Sequence, residues 1–480
     1  MKKKLLLIAV LCISANLGFS FLYAAGSGSA SQDKAKPLYG LNFSPYLESQ
    51  SPDQGSKISE EQLKMRLQIV KPYTQWIRTF SCTNGLENIG KTAHGMGLKT
   101  LVGAWIGKDS QLNNQETDAI IKVAKSGGAD IVAVGNEVLL RGDLKEDQLI
   151  SYINKVKTAV KKYNPNIKVS TVDGYYALLK HPKVMEVCDV ILINCYPFWE
   201  GCRLEDSIVS LNNMYEKVKK AGRGKEVIIS ETGWPSGGKS VGKAVPSKNN
   251  AQKYLKSVLE WIKTKKVKCF YFTGFDESWK AVHEGDLGAY WGIFDNNGAL
   301  KFDLDSFKGL SVKTMPKGSY LPIDGIFIPS GYMGSTENIK LERVGANSGD
   351  IRKYMKISLL NKNQSGDWSG IYWQYPANNW GSKPGLNLFN PKKLTFYAKG
   401  DKGGEYAEFK VGGISGDFAD SINPAVGTNL VKLSNQWLKY SIDIGERDAS
   451  SVIGGFCCVA SKGYNPSGCI IYLANIQFEW

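Results

Sequence analysis

The sequence predicts an α/β protein with two folded parts: a (β/α)8 barrel, followed by an antiparallel β-sandwich of the jelly-roll type. Short apolar runs alternate with amphipathic helical patterns eight times before Phe307, which favours a closed barrel over an open doubly wound sheet. Beyond Phe307 the helical period largely disappears, and short alternating runs separated by turns take over. The 480 residues also exceed what one hydrophobic core usually serves.

The barrel prediction rests on eight apolar runs, each followed by a helical stretch with lysines and acids opposite its apolar face. No glycine-rich phosphate loop follows the first run, which weighs against a nucleotide-binding sheet. The predicted strands are Leu38–Asn42, Trp76–Phe80, Thr100–Ala104, Ile131–Gly135, Val169–Thr171, Val190–Asn194, Val227–Ser230 and Cys269–Gly274. The clearest helices are Glu60–Val70, Glu116–Lys125, Glu146–Lys162, Leu204–Lys220 and Asn249–Lys265.

The sandwich prediction rests on alternating runs in the second half of the chain. These runs are Tyr354–Leu359, Gly370–Gln374, Leu394–Ala398, Tyr406–Val411, Trp437–Ile442, Ile470–Leu473 and Ile476–Glu479. The predicted boundaries are a signal peptide over 1–25, a linker over 26–36, the barrel over 37–307, a linker or wrapping segment over 308–326 and the sandwich over 327–480.

The first 25 residues have the pattern of a secretory signal peptide. Lys2, Lys3 and Lys4 precede an apolar run that ends in the small residues Ala24 and Ala25. The alternative is an uncleaved anchor, although the run is short for a membrane span. No other long apolar stretch follows, so we expect a secreted protein, extracellular or periplasmic, without a membrane span after cleavage.

Composition and charge restrict the partners. The net charge of +15 would suit an acidic polymer, but the lysines are spread along the chain, so a solvated basic surface is the simpler interpretation. Export makes nucleic acid an unexpected partner. Only three histidines and no cysteine pair with zinc spacing occur, so no metal is expected in the mechanism. Eight cysteines lie beyond Cys12, and their pairing is left open.

Two glutamates follow strongly apolar strands and are the candidates for chemistry. Glu137 follows the fourth predicted strand and Glu231 the seventh. Residues just past the carboxyl ends of barrel strands converge on one mouth, and two carboxyl groups across a sugar site can hydrolyse a glycosidic bond. A separation of ~5 Å would favour a covalent, retaining route. The alternative is that each glutamate caps a helix or pairs with an inward arginine such as Arg78.

The motifs around these residues resemble glycoside hydrolase family 17, in its bacterial rather than its plant branch. They are GNEV at 135–138, SETGWPS at 230–236, FDESWK at 275–280 and HEGDLGAYWGIFD at 283–295. The resemblance covers about residues 37–302. It implies a retaining mechanism on β-1,3-glucan, with Glu137 as acid/base and Glu231 as nucleophile. The same resemblance implies substrate-binding roles for Asn136, Tyr196, Glu277, Lys280 and Glu284. For Glu277 and Glu284, surface salt bridges are the alternative.

Aromatic residues crowd the predicted mouth, and sugar rings pack on aromatic faces. Of these residues, Trp234 and Phe275 are predicted to line the cleft. Where family members often have tyrosine after the strand-two arginine, this chain has Phe80.

The second half resembles the jelly-roll carbohydrate-binding modules of polysaccharide hydrolases. Trp373, Tyr375 and Trp380 are candidates for a sugar platform, with core packing as the alternative. A structural calcium ion is common in such modules, but the sequence offers no dense acidic cluster for one. The leading hypothesis is a monomeric, cofactor-free β-1,3-glucanase that binds β-glucan, possibly of mixed linkage. A β-1,3-glucanosyltransferase is the first alternative, and a non-catalytic glucan-binding surface protein is the second.

Overall fold

A computed structural model describes residues 36–345, 353–360 and 367–480. The predicted signal peptide and nearly all of the predicted linker over 26–36 lie outside the described residues. The described part shows the predicted barrel and antiparallel sandwich, so the predicted fold class is confirmed.

Eight parallel strands close into a barrel in sequence order, with the last strand paired to the first. Each predicted strand overlaps an observed one. Val, Ile and Leu dominate because both faces of these strands are buried, one by the lumen and one by the helices. The strands are β1 (Leu38–Asn42), β2 (Thr74–Arg78), β3 (Lys99–Ala104), β4 (Ile131–Asn136), β5 (Lys168–Gly174), β6 (Ile191–Asn194), β7 (Val227–Thr232) and β8 (Cys269–Tyr271).

Helices cover the outside of the barrel. Several begin with a side chain that accepts hydrogen bonds from the first free backbone N–H groups: Ser59, Asp109 and Ser247 do so. The helices are α1 (Glu60–Val70), α2 (Ile89–Gly95), α3 (Ser110–Lys125), α4 (Glu146–Tyr163), α5 (Tyr175–Lys180), α6 (Pro182–Val187), α7 (Ser207–Ala221), α8 (Lys248–Lys265) and α9 (Ala281–Glu284). Short 3₁₀ turns occupy Leu86–Asn88, Leu204–Asp206, Ser278–Lys280, Asp286–Tyr290, Asp305–Phe307 and Thr336–Asn338.

The barrel lumen is filled by side chains rather than open. Its apolar layer includes Leu101, Leu192 and Phe270. The Phe270 ring lies so close to Gly40 that a Cβ there would come within 2.3 Å of a ring carbon. Above this layer, toward the carboxyl ends of the strands, the lumen becomes polar, and this is where the candidate site lies.

The second half forms two packed antiparallel sheets. One has the order β10-β13-β18-β15-β16, and the other has the order β11-β12-β19-β14-β17 with β9 paired to β19. Two predicted runs, Ile470–Leu473 and Ile476–Glu479, are one continuous strand. The strands are β9 (Tyr320–Pro322), β10 (Ile328–Gly334), β11 (Ile339–Gly345), β12 (Lys353–Leu359), β13 (Trp368–Gln374), β14 (Lys393–Gly400), β15 (Tyr406–Val411), β16 (Val426–Lys432), β17 (Leu438–Asp443), β18 (Gly454–Ser461) and β19 (Cys469–Glu479).

Barrel and sandwich are packed together rather than separated by an extended spacer. Residues Lys36–Trp480 form one compact unit, and one cluster of buried residues runs from Leu38 to Phe478 through both parts. Strand β9 lies inside the range predicted as a linker or wrapping segment, and Leu321 and Ile323 beside it are buried. The eight cysteines beyond residue 36 are free thiols, and seven of them are buried. Within the described ranges, no helix is long and apolar enough to cross a membrane.

Candidate active site

The polar layer of the lumen is a continuous hydrogen-bond network built from the last residues of the strands. Asn42, at the end of β1, donates to the backbone oxygens of Ser230 (3.0 Å) and Tyr271 (3.2 Å). Arg78, at the end of β2, donates to Asn42 Oδ1 at 2.6 Å. Ser230 Oγ donates to Asn194 Oδ1 at 2.8 Å. These groups form a rigid floor under both candidate glutamates.

Glu231 is held by two donors on opposite sides. The buried Arg78 guanidinium lies 2.5 Å from Glu231 Oε1, and the Tyr196 hydroxyl donates to Oε2 at 2.6 Å. Arg78 Nη2 also donates to Asn136 Oδ1 at 2.7 Å, which ties this carboxylate to the residue before Glu137. Burial and the nearby Glu231 charge raise the pKa of the Tyr196 hydroxyl well above its usual value, so it remains a donor. The carboxylate is therefore fixed in orientation and charge-paired.

Glu137 has a different environment. Its Oε1 accepts a hydrogen bond from the neutral Asn194 amide at 2.8 Å. Burial, and then the nearby Glu231 charge, raise the pKa of Glu137 from 4.5 to about 7, while the Asn194 hydrogen bond opposes this shift. A carboxyl group with this pKa holds its proton up to near-neutral pH, as a general acid requires.

The backbone at Glu137 is held in an uncommon conformation. Its φ of 54° is in the left-handed region, which is costly for a residue with a side chain. The Asp173 carboxylate accepts hydrogen bonds from the backbone N–H groups of Leu139 (2.9 Å) and Leu140 (3.3 Å). Arg141 donates to the backbone oxygens of Asn136 and Ile106. Contacts on both sides thus fix the turn that carries Glu137.

Glu277, Lys280 and Glu284 lie beside this pair. Glu277 is buried and is neutralised by Lys280 Nζ at 2.5 Å. Neither Glu277 oxygen accepts a well-aligned hydrogen bond from a described residue, so its lone pairs remain available to a ligand. Glu284 accepts from Trp291 Nε1 at 2.8 Å, and burial raises its pKa while Lys280 opposes the shift. The burial of Glu277 and Lys280 argues against a plain surface salt bridge.

Two predicted cleft residues are wrong. Trp234 is 1% exposed, packs on Phe198 and Tyr254, and donates from Nε1 to the Val245 oxygen. Phe275 is fully buried beneath the Arg66 guanidinium, 3.4 Å from its ring centroid. Neither ring has a free face for a sugar, because each fills the layer between the barrel and its surrounding elements. Near the mouth, the exposed rings are Trp105, Tyr176 and Trp199, which follow β3, β5 and β6.

The sequence-based prediction did not include Asn42, Asn194 or Asp173, and it considered Arg78 only as a partner in the alternative interpretation. The signal that identified the two glutamates applies to them as well: each is a polar residue at or near the carboxyl end of an apolar barrel strand. No group of three or more His, Cys, Asp or Glu within the described ranges could hold a metal ion.

A (β/α)8 barrel with two shielded glutamates at the carboxyl ends of β4 and β7 is the arrangement of a glycoside hydrolase. Comparison with known proteins identifies the group. A family model described as the BtgE/BtgC glycoside hydrolase domain matches residues 40–292, more than half of the chain. The chain therefore belongs to the BtgE/BtgC glycoside hydrolases, and its resemblance to glycoside hydrolase family 17 is confirmed.

Individual relatives match the barrel part. The chain is 28% identical over 274 residues to glucan 1,3-beta-glucosidase of Saccharomyces cerevisiae, covering 52% of this chain and 87% of that protein. It is 28% identical over 260 residues to probable beta-glucosidase btgE of Aspergillus fumigatus, covering 53% of this chain and 45% of that protein. The crystal structure of a glycoside hydrolase family 17 β-1,3-glucanosyltransferase from Rhizomucor miehei matches with 30% identity and a TM-score of 0.50, covering 55% of this chain and 95% of that one.

Proposed function

We propose that this protein cleaves β-1,3-glucan with retention of configuration, using Glu231 as nucleophile and Glu137 as acid/base. One observation carries the proposal: the two carboxyl groups share one polar layer but have different partners. Glu231 is paired with a cation, whereas Glu137 accepts from a neutral amide and has a pKa of about 7. Environments of this kind separate a nucleophile from a proton donor.

The chemistry follows from these environments. A Glu231 oxygen attacks the anomeric carbon while Glu137 transfers its proton to the leaving glycosidic oxygen, so the bond to the leaving sugar breaks and a glycosyl ester forms. Glu137, now ionised, takes a proton from the incoming water, whose oxygen displaces Glu231. Asn136, Tyr196, Glu277, Lys280 and Glu284 are proposed to orient the sugar. No step requires a metal or an organic cofactor.

Transfer to a sugar acceptor uses the same glycosyl ester, so a glucanosyltransferase is the alternative outcome. The test is a time course of products from laminarin and from mixed-linkage β-glucan. Early release of short oligosaccharides supports hydrolysis, and products longer than the substrate support transfer. Failure of the wild-type protein to turn over either glucan would contradict both and favour a non-catalytic glucan-binding protein.

The pH profile tests the role of Glu137. Because the general acid must be protonated, kcat/KM is expected to fall as pH rises through about 7. Asn194→Ala removes the hydrogen bond that favours the ionised form, so this alkaline limb should move to higher pH. Asn212→Ala, on the outer helix α7, is the matched control and should leave the limb unchanged. An alkaline limb near pH 4.5 in the wild-type protein would contradict the assignment.

We also propose that the sandwich binds glucan through the outer face of the sheet that contains β12, β19, β14 and β17. Trp373 and Tyr375 are excluded as platforms because their rings are buried. On this outer face, the rings of Tyr354, Trp437 and Tyr472 lie within 6.4 Å of one another. On the same sheet, a cavity of about 260 Å³ is lined by Pro322, Thr395, Tyr397, Lys439, Asn475 and Gln477. Aromatic faces beside hydroxyl, amide and amino groups suit a neutral sugar.

A binding experiment tests this surface. Trp437→Ala with Tyr472→Ala in the full chain should weaken retention on insoluble β-1,3-glucan by roughly tenfold, because the polysaccharide loses two rings of its platform. Hydrolysis of a soluble oligosaccharide should stay unchanged. Tyr464→Ala removes an exposed sandwich tyrosine outside this face and is the control. Equal retention by the double variant and the control would contradict the proposed surface.

We propose export of the protein and action as a monomer. The basic and apolar pattern of residues 1–25 supports export. That the candidate carboxyl groups and their hydrogen-bond partners all come from one chain supports a monomeric active site.

A further inference from the structure

Tyr375 follows strand β13 of the sandwich and is completely buried, yet its hydroxyl contacts only barrel residues among the printed contacts of the described chain. Glu48 N–H donates to the Tyr375 oxygen at 3.2 Å, and the Tyr375 hydroxyl donates to Asn296 Oδ1 at 3.0 Å. Its backbone N–H donates to Ile453 in the sandwich. One residue of the sandwich therefore joins two separate barrel segments.

Both barrel segments lead to the same active-site residue. Asn296 Nδ2 donates to the backbone oxygen of Asp276 at 3.1 Å. Glu48 accepts a hydrogen bond through its carboxylate from Ser278 Oγ. Asp276 and Ser278 are the residues immediately before and after Glu277. The two arms from Tyr375 thus hold Glu277 from both sides.

The Glu277 region is mechanically linked to the proposed nucleophile. Lys280, the ion-pair partner of Glu277, lies 4.2 Å from the centroid of the Phe272 ring. Phe272 packs edge-on against Tyr196 at 5.9 Å, and Tyr196 donates to Glu231. A displacement of Glu277 would therefore be felt at Lys280 and at the groups packed on it, because close-packed interiors transmit such shifts.

We propose that Tyr375 is a positioning residue for the active site: its hydroxyl, supplied by the sandwich, fixes the segment 276–278 so that Glu277 and Lys280 meet the sugar in productive geometry. This inference rests on the proposed function. It gives the sandwich a role in the chemistry of the barrel that is separate from binding polysaccharide. The family match ends at residue 292, so both Asn296 and Tyr375 lie beyond the matched part.

The test is Tyr375→Phe in the full-length protein, alone and combined with Glu277→Gln, with kcat and KM measured on a soluble β-1,3-gluco-oligosaccharide. Phenylalanine keeps the buried ring and removes only the hydroxyl. Tyr372→Phe is the matched control, because it removes a buried sandwich hydroxyl that donates to Gly412 rather than to the barrel. Thermal unfolding of each variant measures any loss of stability separately.

Tyr375→Phe should lower kcat/KM by about tenfold, through the misplacement of a substrate-orienting group. In the Glu277→Gln background the same change should cost less than about twofold, since the residue through which Tyr375 acts is already altered. An unchanged kcat/KM, or an equal loss in both backgrounds or in Tyr372→Phe, would overturn the inference while leaving the proposed function intact. Absence of turnover by the wild-type protein would overturn the proposed function and this inference with it.

Discussion

Replacing Glu231 by alanine is expected to lower turnover of β-1,3-glucan by roughly 10⁴-fold or more, because no group remains to form the glycosyl ester. The measurement is the initial rate of reducing-end release. Glu200→Ala is the matched control: this glutamate lies after β6 and accepts a hydrogen bond from Tyr175, but it has no printed contact with either candidate carboxyl group. The control should keep near-wild-type activity.

The same variant should be rescued by azide in a way that identifies the missing group. Azide can enter the space left by the carboxylate and attack the anomeric carbon from that side, while Glu137 still protonates the leaving oxygen. The product of this single displacement is an α-glycosyl azide. Formation of a β-glycosyl azide would contradict the role of Glu231, and residual wild-type activity would contradict the mechanism altogether.

Replacing Glu137 by glycine should lower turnover of β-1,3-glucan by about 10²- to 10⁴-fold, the usual contribution of a general acid. Glycine suits the left-handed backbone at this position and leaves room for a small nucleophile. An aryl β-glucoside with a highly acidic leaving group needs no proton, so its first step should remain fast. Azide should then release a β-glycosyl azide from the ester on Glu231. An equal loss on glucan and on the activated substrate would contradict the assignment.

Glu137→Gln should make the protein more stable above neutral pH. The folded state holds a proton on Glu137 up to about pH 7, whereas the unfolded chain releases it near pH 4.5. The native state therefore loses stability as pH rises from about 4.5 to about 7, by about 3 kcal/mol once above that window. Glutamine avoids this cost. Unfolding in urea should show equal stability of variant and wild type at pH 4 and a more stable variant at pH 8.

A lack of stabilisation at pH 8 would indicate that Glu137 ionises as easily in the folded protein as in the unfolded chain. That result would remove the physical basis for its proposed role as proton donor. Strain and a buried carboxyl group at one position are a cost that a fold with no chemistry to perform has no need to bear.

The barrel strands and the two glutamates at their ends were predictable from the sequence, because hydrophobic periodicity and strand ends are local features. Leu38–Asn42 and Glu60–Val70 were predicted to the residue, and the remaining barrel strands within a few residues. The sandwich was predicted less completely. Strands β10, β11, β16 and β18 were not anticipated, since exposed polar residues interrupt some of them and β18 lacks an alternating pattern.

The sequence by itself determined the fold class, the family resemblance and the candidate carboxyl groups, since each depends on residue type and spacing along the chain. Only the tertiary structure decided which aromatic rings are free. Trp234 and Phe275 are buried, while Trp105 is exposed, and nothing in their local sequence distinguishes them. The structure alone also joined Tyr375 to Asn296 across 79 residues and Arg78 to Glu231 across 153. Such contacts depend on how whole elements pack, and that packing is a property of the complete chain.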